Sequence, residues 1–216
     1  MKSVVIVQAR ANSKRFPRKV LADLCGQPVL WHVLTRCKKI KGKDMVVLAV
    51  PDEADSDELE QIARNLKVRV VRDPENDVLE RYVIAARRVR ADYVMRITAD
   101  CPLIDPDVCS RVLDTAKQPG VDYVSNVMPR TFEWGLDCEA FTRWALELTA
   151  KRATEAYDRE HTTSFIQRAP IFHKINVESD NPDRALTNLC IDTPEDLIRI
   201  RKYVSEKYGR DFAKVE

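Results

Sequence analysis

Glycine is scarce, with five in 216 residues, and histidine is scarcer still with three. So few glycines leave no room for a Walker A loop or a G-x-G-x-x-G dinucleotide loop, and neither occurs. The six cysteines (Cys25, Cys37, Cys101, Cys109, Cys138 and Cys190) include no C-x-x-C pair and no zinc spacing, so they read as buried, reduced thiols. No run approaches the roughly 18 apolar residues of a membrane span. Met1 and Lys2 lead directly into Val4, Val5, Ile6 and Val7 without a cleavage signal, so the chain reads as cytoplasmic and without a membrane partner. A large excess of one charge is also missing. Thirty-six Lys+Arg against 34 Asp+Glu leave +2, which gives no support to a nucleic-acid partner and requires any anion site to be local. What is present, 44% hydrophobic and 32% charged residues, is the composition of an ordinary globular domain. A chain of this length hides roughly 70% of the surface its unfolded form exposes, enough for one core without a disulfide or zinc. Residues 1–216 therefore read as one domain.

The run from Val4 to Val7 has no polar face, as in a strand covered on both sides. Leu30, Val33, Leu34, Cys37 and Ile40 then recur at helical spacing behind Pro28. Strands at 46–50, 68–71 and 93–98 alternate with helical stripes through Leu59, Ile62 and Leu66, through Val78, Tyr82 and Val89, and from Pro106 toward Lys117. This alternation predicts β-α-β units, a mainly parallel sheet flanked by helices and the α/β class. Beyond Gly120 the rhythm becomes mixed: 121–125 and 171–177 read as extended, 143–151 and 159–167 as helical. Residues 186–191 read as one more strand. Thr193, Pro194, Glu195 and Asp196 then supply an N-cap, a proline at N1 and an acidic first turn for a last helix.

Residues 8–22 carry five cations (Arg10, Lys14, Arg15, Arg18 and Lys19) and no acid. They follow the first strand, at the edge where open α/β sheets bind ligands. Guanidinium forks and an ammonium point charge suit a triphosphate, although charge alone equally fits a solvated loop. Two acids stand at comparable places. Asp100 follows the strand at 93–98, and Asp192 follows the run at 186–191; each reads either as a turn or helix-cap residue or as a ligand of a hard cation such as Mg²⁺. Asp105-Pro106-Asp107 has a metal-binding Asp-x-Asp form, but Pro106 at N1 makes Asp105 a helix cap.

Gln8-Ala9-Arg10, Asn12-Ser13, Arg15, Pro17 and Lys19 resemble the opening motif A-R-x-x-S-x-R-x-P-x-K of the cytidylyltransferases that activate acidic sugars. These are the spore coat polysaccharide biosynthesis protein F group and the CMP-3-deoxy-manno-octulosonate and CMP-acylneuraminate synthetases. Arg18 stands where that family commonly has Gly, and Phe16 where it has Leu. The segments Ala99-Asp100-Cys101-Pro102 and Ile191-Asp192-Thr193-Pro194-Glu195-Asp196-Leu197 are similar to the family's two magnesium-holding turns. Asp77-Val78-Leu79-Glu80-Arg81-Tyr82, Gly135-Leu136-Asp137-Cys138-Glu139-Ala140-Phe141 and Arg159-Glu160-His161 resemble segments of the spore-coat group, so the likeness runs from residue 4 to about 200.

The resemblance implies a Rossmann-like nucleotidyltransferase fold of glycosyltransferase-A type. It also implies transfer of CMP from CTP to a small acidic acceptor, with release of pyrophosphate, in cell-surface polysaccharide or glycoconjugate synthesis. It assigns Lys19, Arg10, Arg15 and Asp100 to catalysis, and Asp100 and Asp192 to Mg²⁺. The nucleotide falls to Ala9, Arg10, Ala11, Asn12, Ser13, Arg15, Lys19, Arg72 and Thr98, and the acceptor to Asn126, Arg130, Glu139, Arg159 and His161. Residues 126–175 are expected to form a small mixed insertion that recognises the acceptor and pairs two copies into a homodimer. A metal-dependent glycosyltransferase on the same fold, or a non-catalytic anion-binding protein, are the alternatives; pyrophosphate release and metal-dependent turnover separate them.

Overall fold

The computed structural model describes residues 1–73, 77–209 and 212. In the first strand, β1 (Ser3–Gln8), every residue but the last is buried. Val5 and Val7 pack with Leu48, Val50, Met95 and Ile97 on one side of the sheet, while Val4 and Ile6 pack with Val47, Ala49 and Val94 on the other. Burial on both faces is why the strand is written as an unbroken apolar run.

A small hairpin, β2 (Asp23–Leu24) and β3 (Gln27–Pro28), follows the basic loop. Then come α1 (Val29–Lys39), β4 (Met45–Pro51), α2 (Asp57–Asn65), β5 (Arg69–Asp73), α3 (Val78–Val89), β6 (Tyr93–Thr98) and α4 (Pro106–Ala116). The second half holds β7 (Tyr123–Ser125), β8 (Glu139–Thr142), α5 (Arg143–Arg152), α6 (Ala156–His161), α7 (Ser164–Arg168), β9 (Lys174–Asn176) and α8 (Pro194–Tyr208). Among the described residues, seven strands form one sheet in the order β5-β4-β1-β6-β8-β7-β9. The first four of these are mutually parallel, and β8 runs antiparallel to both β6 and β7. The α/β class and the mainly parallel sheet are as the sequence predicts. Helices α1, α2, α4 and α8 cover one face; α3, α5 and α7 cover the other. No helix among the described residues is long and apolar enough to cross a membrane.

The chain leaves β1 for β4 on one side and later returns to β6 on the other, so the strand order reverses at β1. Such a reversal opens a crevice beyond the carboxyl ends of the flanking strands. Gln8 and Thr98 end their strands in register, which sets the basic loop and Asp100 side by side at that crevice. Asp105 accepts from the Asp107 and Val108 amides and caps α4, as Pro106 indicates. Thr193 and Asp196 close a reciprocal capping box on α8.

Three local expectations are corrected. Residues 186–191 form no strand: the stretch begins at the end of a 3₁₀ turn, Pro182–Leu186, and pairs only through an isolated bridge between Trp134 and Asn188. The helix expected over 159–167 is two short helices, broken at Thr162, whose φ of 58° no α-helix accommodates. Glu139–Thr142, which carries no strand pattern, is the antiparallel strand β8 that joins the two halves of the sheet.

Gly135 is what lets the Trp134 loop lie against residues 189–190. Its φ is +95°, and a Cβ there would stand 2.7 Å from the Leu189 carbonyl carbon and 2.9 Å from the Cys190 nitrogen. The contact is fixed by Leu189 N–H donating to the Trp134 carbonyl at 2.7 Å. Gly135→Ala is therefore expected to lower unfolding stability by about 2 kcal/mol, read by urea denaturation, because it combines a disfavoured dihedral with a backbone clash. An unchanged midpoint refutes the close-approach role.

Candidate functional site

The two aspartates far apart in sequence meet because their loops are hydrogen-bonded to each other: Ile191 N–H donates to the Asp100 carbonyl at 3.0 Å. The Asp192 backbone is held a second time, its N–H donating to the Asp196 carboxylate at 3.0 Å within the α8 cap. From the opposite side the basic loop turns through a 3₁₀ segment, Lys19–Leu21, anchored by buried Val20. This brings the Lys19 ammonium between both acids, 2.7 Å from Asp100 Oδ2 and 2.9 Å from Asp192 Oδ1. Arg15 forms an ion pair with the same Asp192 oxygen at 2.9 Å.

The electrostatics are tightly coupled. Burial opposes the Asp100 charge, but the Lys19 cation, its hydrogen bond and one from Thr98 outweigh that and hold the carboxyl below the usual carboxylate range. Burial likewise opposes the Lys19 charge, and attraction and hydrogen bonds from Asp100 and Asp192 outweigh it, holding the ammonium above its ordinary value.

Above this cluster lies a cavity of about 510 Å³ whose walls include Arg10, Ser13, Lys14, Arg15, Lys19, Thr98, Asp100 and Asp192. Ala9 also lines it, though its N–H is already used by the Ala49 carbonyl at 3.1 Å. Arg10 is exposed and has no ion-pair partner among the described residues. Ala11 and Asn12 stay out of the wall. The Ala11 carbonyl accepts from Arg18 N–H at 2.9 Å, and Asn12 Nδ2 donates to Asp55 at 2.6 Å, so both brace the loop from behind. Arg72 lies away from this cavity, its guanidinium bound to Glu60 at 2.7 Å and Asp57 at 2.5 Å.

The five residues expected at the acceptor are spread more widely. His161, at the end of α6, lines the first cavity and also a second one of about 200 Å³, which Glu139 and Asp137 help to form. Asn126 is fully buried, donating to the Leu136 carbonyl at 2.8 Å and accepting from Cys138 N–H at 3.0 Å. Arg130 grips both oxygens of Asp137, at 2.6 and 2.7 Å, and lies 3.8 Å from the centre of the Trp134 ring. Arg159 is paired with Asp77 and donates to the Ala150 carbonyl at 2.8 Å. Neither arginine lines either cavity.

Sequence reading passes over Arg96 and Glu160. Arg96 belongs to β6 and lines both cavities; Glu160 lines the first. The signal for Arg96 was available, since it is a charged residue inside an otherwise uncharged core strand, where charge is rare without a partner or a function.

A family model described as cytidylyltransferase matches residues 4–214. The spore coat polysaccharide biosynthesis protein SpsF of Bacillus subtilis is 29% identical over 202 residues, covering 91% of this chain and 83% of that protein. A solved cytidylyltransferase from Leptospira borgpetersenii superposes with a TM-score of 0.91 at 30% identity, over 100% of this chain and 93% of that one. CMP:2-keto-3-deoxy-manno-octonic acid synthetase, solved in complex with CTP, superposes with a TM-score of 0.74 over 96% of this chain and 100% of that one. At 17% identity the latter likeness is one of fold.

Lys19→Met removes the cation that Asp100 and Asp192 share. In the wild type Asp100 titrates below its unfolded value, so its stabilisation is complete at neutral pH and is lost as pH falls through the lower, folded value. Without Lys19 the Asp100 carboxyl rises, and ¹³C NMR titration in metal-free buffer is expected to show that rise. An unmoved Asp100 titration contradicts the shared-cation geometry.

Proposed function

The chain belongs to the cytidylyltransferase family, which makes it a nucleotidyltransferase, and we propose that it transfers CMP from CTP to an acidic sugar or related small acid, releasing pyrophosphate. The observation that carries this reading is the Lys19 ammonium held by both Asp100 and Asp192 on the floor of a basic cavity. An acceptor oxygen attacks the α-phosphorus in line while the pyrophosphate leaves, a reaction that asks the protein for positioning and charge neutralisation more than for covalent chemistry. Arg10 and Arg15 have exposed forks suited to bidentate phosphate contact, and Lys19 adds a point charge already in place. Ser13 and Thr98 add hydroxyls to the same wall.

The donor set fits a divalent cation. Two carboxylates from separate loops converge on one positive centre, and hard oxygen donors of this number, completed by phosphate oxygens, suit Mg²⁺ and not zinc. Such an ion, bound by Asp100 and Asp192, would supply Lewis-acid polarisation of the phosphates. The second cavity, next to the first through shared Arg96 and His161, is the natural place for the acceptor. Cell-surface polysaccharide or glycoconjugate synthesis, a cytoplasmic location and a homodimer built through residues 126–175 complete the proposal. The role in spore coat polysaccharide biosynthesis that SpsF's name carries supports the first of these.

The test is pyrophosphate release with each of the four nucleoside triphosphates, Mg²⁺ and a panel of acidic acceptors. CTP with at least one acid is expected to turn over, and chelation of the metal to stop it. Asp100→Asn is expected to lower the rate on the order of 10³-fold while unfolding as cooperatively as the wild type. A fully active Asp100→Asn protein, or release with no acid at all, overturns the proposal.

A further inference from the structure

An acidic acceptor needs a cation, and the two arginines that its chemistry points to first are engaged elsewhere. Arg130 has a complete two-point bond to Asp137, and Arg159 has Asp77 with two main-chain carbonyls. Among the residues lining the second cavity, Arg96 alone is a lysine or arginine. Its pairing differs in kind from that of Arg130. One terminal nitrogen donates to Glu139 Oε2 at 2.6 Å, while Nε is buried and has no hydrogen-bond partner among the described residues. Nε is shut off from any ligand, a costly arrangement that holds the guanidinium in place, and the second terminal nitrogen has no hydrogen-bond partner among the described residues.

Glu139 is itself fully engaged. Its other oxygen accepts from the Tyr123 hydroxyl at 2.5 Å and from Gln167 Nε2 at 3.0 Å. The carboxylate thus orients the Arg96 plane through one edge and has no spare oxygen with which to close the other. Arg96 also stands in the wall common to both cavities, between the cation-lined nucleotide side and the acceptor side. A carboxylate placed there sits next to the phosphate-binding end, with the sugar's hydroxyls toward Tyr157, Thr163 and Ser164.

Resting on the acidic-acceptor reading above, we infer that Arg96 is the residue that receives the acceptor's carboxylate, through the terminal nitrogen that Glu139 leaves free, and so sets the preference for an acid over its uncharged derivatives. Arg96 is then a substrate-binding, specificity-determining residue, and Glu139, Tyr123 and Gln167 are positioning residues that hold its plane.

The experiment compares wild type, Arg96→Lys and Arg96→Gln in pyrophosphate release from CTP and Mg²⁺. The acceptors are 3-deoxy-manno-octulosonate, an N-acylneuraminate and an aldonic acid, each against its methyl ester. In the wild type kcat/KM favours the acid. Arg96→Lys keeps a charge beside Glu139 but loses the planar fork, so it is expected to raise the acid's KM about tenfold or more and to erode the acid-to-ester ratio, with CTP affinity by calorimetry changed far less than the acid's KM. A purely structural role would instead move the acid and the ester together. A wild-type protein that turns over acids, with an Arg96→Lys acid-to-ester ratio unaltered, overturns this inference and spares the reading beneath it. A wild type that turns over or binds none of the acids sinks that reading and the inference with it. Should both variants fail to fold, ¹⁵N NMR of the wild-type Arg96 Nε decides: a shift on saturation with the acid and none with the ester supports the assignment, and no shift with either refutes it.

Discussion

Two carboxylates aimed at one small volume repel, and an isolated buried pair would leave one of them protonated. The Lys19 ammonium removes that difficulty by bonding both, and much of the surrounding structure is arranged to make the meeting possible. The sheet contributes by setting β1 beside β6 in register, so that the loop bearing Lys19 and the turn bearing Asp100 leave the same edge. The chain's distant end contributes through the amide of Ile191 on the Asp100 carbonyl and through the α8 cap. Gly135 contributes by allowing residues 189–190 to lie flat against the Trp134 loop. The ion triad is therefore a tertiary constraint expressed through four separate segments, and partial burial makes each charge depend on the others.

Much of this was legible in the residues. Strands buried on both faces must be written as unbroken apolar runs, and amphipathic crossovers must repeat at helical spacing, so β1, β4, β6, α1 and α3 fall close to where periodicity puts them. The failures have physical causes. The run from Leu186 to Ile191 has the composition of a strand, yet Leu186 is 89% exposed and the segment's hydrogen bonds go to turns and to Asp100 instead of to a ladder. Strand β8 has the opposite history. Its four residues are too few and too uniformly buried to alternate, and only pairing with β6 and β7 on either side makes them a strand. The helical pattern from Arg159 to Gln167 continues across Thr162, where the backbone turns left-handed, a break that periodicity does not register.

The site follows the same division. A run of cations after the first strand is a local feature, and the structure puts most of it on the cavity wall. Whether a given arginine has a free fork is a tertiary fact. Arg130 is bound across a short loop to Asp137, whereas Arg159 reaches Asp77 at the start of α3, a partner that nothing near residue 159 in sequence announces. Arg72 is drawn away by Glu60 and Asp57 for the same reason. The reverse holds for Arg96, whose neighbours in sequence make it look like a strand residue and whose exposure to two cavities comes from its position in the sheet.

Two acids near the start of α2 explain why the basic loop holds its shape. The first turn of α2 and the turn before it present Glu58 and Asp55 to the back of the loop, while Asp57 and Glu60 hold Arg72. Asn12 is bonded to Asp55 and Arg18 to Glu58 at 2.6 Å, so the loop's rear is tied down while Arg10, Lys14 and Arg15 line the cavity. Arg18 matters most in this respect. It adopts φ 60° and ψ 21°, a left-handed conformation that glycine takes without strain and a β-carbon does not, and its N–H bond to the Ala11 carbonyl closes the turn. Where the family commonly has Gly, this chain has the extra side chain, and the Glu58 bond gives that side chain a place. The acidic start of α2 thus ties down the back of the loop from which the cavity's cations project, an order that the proposed phosphate binding would use. Electrostatic stabilisation of a leaving pyrophosphate depends on such prior order, because dipoles and charges already in position need no reorganisation at the moment of reaction.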